Sequence, residues 1–329
     1  MRTGKLFRFE AMWLRDPRCQ EVVSEAWEHG LSFSSGSPIH NCLQSCREAL
    51  QRWNKVEFGH VGRRISALQA NLQRLEQQPE LHGEEILSVR KELGSWLDTK
   101  EVMWQQRSRN MYLLAGDRNT RFFHVKASNR NQKNLIEGME DSSGTWQDTP
   151  EAIESIVKDY FSSLFTTSNP SDIGRVVDTM QAVVSEPMNR LLGRDFQAME
   201  VQQALNQMHP TTAPGPDGMP PLFYKKFWSL SGGCVTQAVL VFLNHGITPP
   251  NFNDTRIVLI PKVKNPRKIT EYRPISLCNV IYKLASKTVA NRLKTVLSSI
   301  VSENQSAFTK GRFITDNILV AYETMHHIS

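Results

Sequence analysis

The residues best suited to chemistry are cations set at fixed spacing around a short apolar run. Arg256-Ile-Val-Leu-Ile-Pro-Lys262-Val-Lys264-Asn-Pro-Arg267-Lys268 is followed by Glu271-Tyr-Arg273-Pro-Ile-Ser-Leu277. Between Phe252 and Leu293 nine cations face only Asp254 and Glu271, so this stretch alone outweighs the net +6 of the whole chain. Guanidinium forks and ammonium point charges match phosphate oxygens, which makes a polyphosphate or a nucleic-acid backbone the natural ligand. From charge alone, a solvated basic hairpin explains the pattern at least as readily.

A second basic stretch lies upstream. From Arg107 to Lys133 the cations Arg107, Arg109, Arg118, Arg121, Lys126, Arg130 and Lys133 face only Asp117, interleaved with Trp104, Tyr112, Phe122 and Phe123. Cations alternating with aromatics suit RNA, which offers phosphates and unstacked bases together. The alternative is an aromatic core with a solvated basic flank.

The elements that must position these residues can be read from periodicity. Ile257 to Ile260, stopped by Pro261, predicts a strand buried on both faces; Asn265-Pro266 predicts a turn, and Pro274 to Leu277 a second strand. Ile65, Leu68, Leu72 and Leu75 recur at helical spacing, Pro79 and Gly83 interrupt, and Ile86, Val89, Leu93, Trp96 and Leu97 resume, which predicts a helical hairpin. Leu31 to Pro38 reads as a linker. Asp141-Ser-Ser-Gly144 predicts a hairpin turn, and Thr149-Pro150-Glu151 opens a helix with proline in its first turn. Asp195 is expected to cap a helix from Phe196 to Met208 whose buried face includes Met199, Val201, Ala204, Leu205 and Met208. Gln237 to His245 reads as an apolar helix. Asn279 to Ile300 reads as another, with Ile281, Leu284, Ala285, Val289, Leu293, Val296 and Leu297 inward, and Asp316 to His327 as the last. Pro214, Gly215, Pro216, Asp217 and Gly218 form a turn in which proline fixes φ and glycine permits positive φ.

Several of these stretches together resemble a known family. Lys262 to Leu277, Cys278-Asn-Val-Ile-Tyr-Lys-Leu-Ala-Ser-Lys287, Ala290-Asn-Arg-Leu-Lys294, Gln305-Ser-Ala-Phe-Thr-Lys-Gly-Arg312 and Thr315-Asp-Asn-Ile318 closely resemble the fingers region of reverse transcriptases from plant LINE-type non-LTR retrotransposons. In that family an Ala-Pro-Gly-Pro-Asp-Gly motif opens the fingers; here Thr212 stands where the pattern more often carries Lys. The resemblance implies that Lys262 and Arg273 clamp the incoming triphosphate. It further implies that Lys264, Arg267, Lys268 and Arg312, with Arg107, Arg109, Arg118, Arg121 and Arg130 upstream, meet the template.

The implied fold is α+β and mostly helical: a helical hairpin arm followed by a fingers subdomain, with palm and thumb missing. Residues 1–30 resemble the tail of an endonuclease/exonuclease/phosphatase-like domain, 31–133 a helical arm and basic linker, 134–194 a connecting α/β segment, and 195–329 the fingers part of the polymerase domain. The polymerase needs two Mg²⁺ held by paired carboxylates. The chain has no adjacent Asp-Asp pair, so Mg²⁺ is expected only for a full-length polymerase, no cofactor is expected for this chain alone, and no catalytic residue is assigned. RNA template and RNA/DNA hybrid are the expected partners, with a palm and thumb in trans. A non-catalytic binding protein derived from a retroelement and an inert remnant are the other readings.

Composition agrees with a globular chain. It is 329 residues long, 40% hydrophobic and 22% charged, and its lysines and arginines outnumber its acids, which favours acidic partners. The cysteines Cys19, Cys42, Cys46, Cys234 and Cys278 form an odd, sparse set without a secretory leader, which points to a reducing compartment, nucleus or cytoplasm. Cys42 and Cys46 near His40 lack a second ligand pair at zinc spacing and are expected to be buried helix cysteines. No apolar run is long enough to cross a membrane.

Overall fold

Apolar residues at alternating spacings of three and four draw the amino-terminal part into antiparallel helix pairs. The computed structural model describes residues 6–33, 38–108, 120–179, 182–302, 305 and 311–328. After a 3-10 turn at Ala11–Arg15, α1 (Arg18–Leu31) packs against α2 (Pro38–Glu57) and α3 (Val61–Leu75) against α4 (Gly83–Ser108), while α5 (Thr120–Lys133) lies along α4. The α3–α4 hairpin matches the break expected near Pro79. Exposed ion pairs cross it, Arg64 with Glu92 at 3.2 Å and Arg90 with Glu76 at 2.7 Å. Such pairs contribute about 0.2–1 kcal/mol each, so the apolar seam carries the pairing.

A short hairpin, β1 (Met139–Glu140) and β2 (Trp146–Gln147), follows. Its turn is closed by Asp141, whose carboxylate accepts from the Ser143 and Thr145 amides and from Gln147 Nε2. Next come α6 (Pro150–Phe165), capped by Thr149 with Pro150 in its first turn, then α7 (Ile173–Val177), α8 (Glu186–Gly193), α9 (Ala198–Gln207), α10 (Pro221–Lys226) and α11 (Trp228–His245). An antiparallel ribbon, β3 (Thr255–Pro261) and β4 (Tyr272–Cys278), precedes α12 (Val280–Ile300) and α13 (Ile314–Ile328). The protein is thus mostly helical, with two two-stranded sheets among the described residues.

Its main core joins distant parts of the chain. Phe9, Trp13, Val23, Trp27 and Leu50 share one buried cluster with Val201 and Leu205 of α9, Phe223 and Phe227 around α10, Val239 of α11 and Leu284 of α12. Phe9 meets Phe223 edge to face at 5.5 Å, an arrangement that adds to simple area burial. A second, smaller core gathers Met139, Phe161, Leu259 and Tyr272. Cys42 and Cys46 are buried on α2, and their thiols donate weakly to the carbonyls of Trp27 and Val23. Burial pushes both thiols up to about 12, which leaves them unreactive.

The elements depart from expectation at particular residues. β3 is a strand but is not buried on both faces: Leu259 is its one buried residue, Ile257 on the same face is 38% exposed, and Val258 and Ile260 on the other face are half-buried. A two-stranded ribbon buries its residues only where another element lies against it, here at the Leu259 and Tyr272 end. The helix expected from Phe196 starts at Ala198, with Gln197 as its cap and Glu200 reaching back to the Gln197 amide at 2.9 Å; Met199 points outward. α11 begins at Trp228, well before Gln237. In α12, Val289 and Leu293 are exposed, because the inward positions are taken by Thr288 and Arg292.

Candidate nucleic-acid interface

The antiparallel register of β3 and β4 sets Ile260 opposite Arg273 and Pro261 opposite Tyr272. Side chains alternate along a strand, so Arg273, Ile260 and Lys262 belong to one side of the ribbon, opposite to Leu259 and Tyr272, which enter the second core. The two residues implied to clamp a triphosphate, both exposed, therefore share the side opposite the second core. The Arg273 side chain is exposed and makes no hydrogen bond or ion pair among the described residues. Lys262 is held: its amide donates to the Glu271 carbonyl at 2.8 Å and its Nζ to the Thr270 carbonyl at 2.8 Å.

One carboxylate shapes the basic turn. Glu271 accepts from the backbone amides of Arg267 at 2.6 Å and Lys268 at 3.1 Å, and these bonds hold its carboxyl below the ordinary glutamate range. Asn265 adopts a left-handed φ of 57°, which an asparagine tolerates better than most residues. The turn is thereby fixed by its own backbone, while the Lys264 side chain stays exposed.

Arg267 crosses to the other hairpin. Its Nε donates to Glu140 at 2.6 Å, its carbonyl accepts from the Glu140 amide at 2.8 Å, and its guanidinium lies 5.4 Å from the centre of the Trp146 ring. Between the hairpins opens a groove of about 1060 Å³, whose lining includes Lys133, Trp146, Lys264 and Arg267. Two basic stretches more than a hundred residues apart thus meet in one concavity. Lys133 ends α5, and Lys264 belongs to the β3–β4 turn. The second core causes the meeting, because Met139 and Tyr272 are buried together beside it.

The upstream cations divide by role. Arg107 pairs with Glu10 at 3.0 Å and sits 5.4 Å from the Trp104 ring centre, and Arg130 donates to the Ser108 carbonyl at 3.1 Å, closing the end of α4. Arg121 is exposed on α5, and Arg109 and Arg118 lie outside the described residues. Of the aromatics interleaved with them, Phe123 is buried and Phe122 is 46% exposed beneath Lys126.

Three other cations are structural anchors. Arg312 donates to the carbonyls of Val301, Ser302 and Gln305, capping the end of α12. Lys283 donates to the Ala213 carbonyl at 2.7 Å. Arg292, counted above with the basic stretch, is buried with a side chain 3% exposed; it pairs with Glu200 at 2.8 Å and donates to the carbonyls of Leu192, Arg194 and Asp195.

The Pro214–Gly218 turn is wedged between the amino-terminal segment and α12. A β-carbon on Gly215 would stand 2.4 Å from the Asn279 nitrogen, and the Asn279 side chain accepts from the Asp217 amide at 3.2 Å. Asp217 Oδ1 accepts from the Met219 amide at 3.0 Å, while its Oδ2 and the nearby Tyr224 hydroxyl are buried without a well-formed hydrogen bond. Burial pushes Asp217 up to about 6, only partly offset by the Met219 amide and the charges of Lys283 and Arg47.

An acid whose folded-state value is raised contributes its stability in full below the unfolded value and loses it as pH rises through the folded one. Stability is therefore expected to fall between about pH 4 and pH 7 by a term that Asp217→Asn removes. Chemical denaturation at pH 4.5 and pH 7.5 tests this, and an unchanged pH profile in the variant would exclude Asp217 as the source.

Sequence reasoning missed Trp146 and Glu140 as parts of this interface and counted Lys133 without singling it out. The only local signal was the Asp141 to Gly144 turn, which places Glu140 and Trp146 across from one another. Among the described residues no cluster of three His, Cys, Asp or Glu side chains is arranged to hold a metal ion, and no helix is long and apolar enough to cross a membrane.

No family model matches the chain. It is 28% identical to the transposon TX1 uncharacterized 149 kDa protein of Xenopus laevis over 288 residues, 84% of this chain and 22% of that protein. It is 28% identical over 106 residues to the retrovirus-related Pol polyprotein from the type-1 retrotransposable element R2 of Nasonia vitripennis, covering 32% of this chain and 10% of that protein. A third relative is the retrovirus-related Pol polyprotein from the type-2 retrotransposable element R2DM of Drosophila melanogaster, 24% identical over 166 residues, 50% of this chain and 14% of that protein. The chain thus spans about a fifth or less of the lengths of these relatives. A mostly helical chain homologous to retrotransposon proteins, it brings Lys133, Lys264 and Arg267 together around a groove between two hairpins.

Proposed function

We propose that this chain is the nucleic-acid-gripping part of a LINE-type reverse transcriptase, holding template RNA and the incoming nucleotide through its fingers, and that it does not polymerise alone. The observation that carries this reading is the groove in which Lys133, Lys264 and Arg267 converge from two distant stretches. The relatives support it, since two of them are named as Pol polyproteins of retrotransposable elements. In the reading, Lys262 and Arg273 on the side of the ribbon opposite the second core meet the triphosphate, while Lys264, Lys268 and the α5 cations Arg121, Lys126 and Lys133 track the template backbone. Arg292 and Arg312 are occupied as anchors.

The test is single-stranded RNA binding by the purified chain as a function of salt, with primer extension assayed in the same tubes. Each neutralised phosphate steepens the fall of log K with log salt by about 0.7. The double variant Lys133→Glu/Lys264→Glu is expected to flatten that slope by roughly 1.4 and to weaken binding at least tenfold. Extension is expected at background. Binding that ignores both salt and the double variant would overturn the reading, and extension above background would overturn the claim that the chain is inert alone.

A further inference from the structure

The groove offers more than charge. Its aromatic wall is Trp146, 42% exposed, which is unusual for so large a ring at the edge of a folded unit. Two contacts hold the indole in place. Gly138 lies so close that a β-carbon there would stand 2.4 Å from ring atom Cζ2, so only glycine lets the ring settle against the backbone. On the indole, Arg267 places its guanidinium 5.4 Å from the ring centre, and Arg267 is itself fixed by Glu140 at 2.6 Å. The result is a pre-positioned pair of an indole and a guanidinium, with Lys133 and Lys264 lining the same groove.

Planar aromatic and guanidinium groups stack nucleobases regardless of base identity, and flanking ammonium groups hold the phosphates on either side. A base inside a duplex is already stacked on its neighbours and cannot use such a platform. We propose that the Trp146–Arg267 pair is a stacking platform for an unpaired base of a single-stranded nucleic acid, with Lys133 and Lys264 holding its flanking phosphates. This rests on the nucleic-acid reading above and narrows it to unpaired strand at this groove.

The test compares a uridine RNA 20-mer with an abasic oligomer of equal length and charge, by fluorescence anisotropy on the whole chain. The RNA is expected to bind about 5- to 100-fold more tightly, and Trp146→Leu is expected to remove most of that margin without changing the salt slope. Trp146→Phe, which keeps a ring, is expected to restore binding to within about threefold of wild type. A fully paired RNA of the same length is expected to bind Trp146→Leu and wild type alike.

Binding of RNA and abasic oligomer with equal, salt-sensitive affinity overturns the platform while leaving the nucleic-acid reading in place. Absence of binding to both overturns that reading and the platform with it. The abasic comparison uses unaltered protein, so a variant that misfolds does not shield the proposal. Equal losses for duplex and single strand in a folded Trp146→Leu variant also overturn it.

Discussion

Arg292→Met is expected to lower the free energy of unfolding by about 3–5 kcal/mol, the range for removing one partner of a buried ion pair. The guanidinium stacks 3.5 Å from the centre of the Phe196 ring, contacts Glu200 through both terminal and inner nitrogens, and serves three carbonyls from the last turn of α8 to the start of the α8–α9 link. Methionine fills the space but leaves Glu200 with the Gln197 amide as its remaining hydrogen-bond donor and takes the guanidinium away from those carbonyls. Arg292→Lys is expected to recover only part of the loss, because an ammonium is a point charge and cannot span the carboxylate and the carbonyls together.

The acid dependence should change as well. Burial alone would raise the Glu200 carboxyl, but the Arg292 hydrogen bonds, the Gln197 amide and the charges of Arg292 and Arg194 together outweigh it and hold the group below the ordinary glutamate range. A depressed acid contributes its stability above the unfolded value and loses it as pH falls through the folded one. Wild type should therefore lose stability on acidification by a term the methionine variant lacks. Urea unfolding of both at neutral and acid pH measures this, and a methionine variant within about 1 kcal/mol of wild type would show that the pair is stabilising nothing.

The second large effect is expected at Gly218. Its φ of 76° lies in the left-handed region, and a β-carbon there would stand 2.4 Å from the Phe7 carbonyl oxygen, beside the bond from the Phe9 amide to the Gly218 carbonyl at 3.0 Å. Alanine therefore meets two penalties: about 1–2 kcal/mol for the backbone conformation and roughly 1–3 kcal/mol for displacing a packed neighbour. Gly144 separates them. It has a φ of 83° with open space around it, so Gly144→Ala should cost only the backbone part. Equal losses at the two sites would mean that the contact with Phe7 yields without cost.

Much of this architecture was readable from periodicity and punctuation. The α3–α4 break at Pro79, the capped start of α6 at Thr149, the hairpin at Asp141 and the paired strands around Asn265 are local features, governed by residues within a few positions of each other. Depth was not readable. A count of cations treats Arg273 and Arg292 alike, yet one is exposed on a ribbon and the other is buried against Phe196. The same blindness placed Val289 and Leu293 inside, since nothing local says that an arginine will take the inward turn of α12. The groove was hidden for another reason: Lys133, Trp146 and Lys264 become neighbours only when Met139 and Phe161 pack against Leu259 and Tyr272.

The joining of Phe9 with Phe223, Phe227 and Leu284 in one core sets a timetable for synthesis. On a ribosome adding roughly 5–20 residues per second, α12 emerges on the order of 15–60 seconds after Phe9. Through that interval the α1–α2 pair exists without the helices that cover it, its apolar side open to whatever else is in solution. The core closes only when the later helices dock back onto the segment around Phe9. A stall or break ahead of α12 leaves the apolar side of α1 and α2 without the helices that cover it.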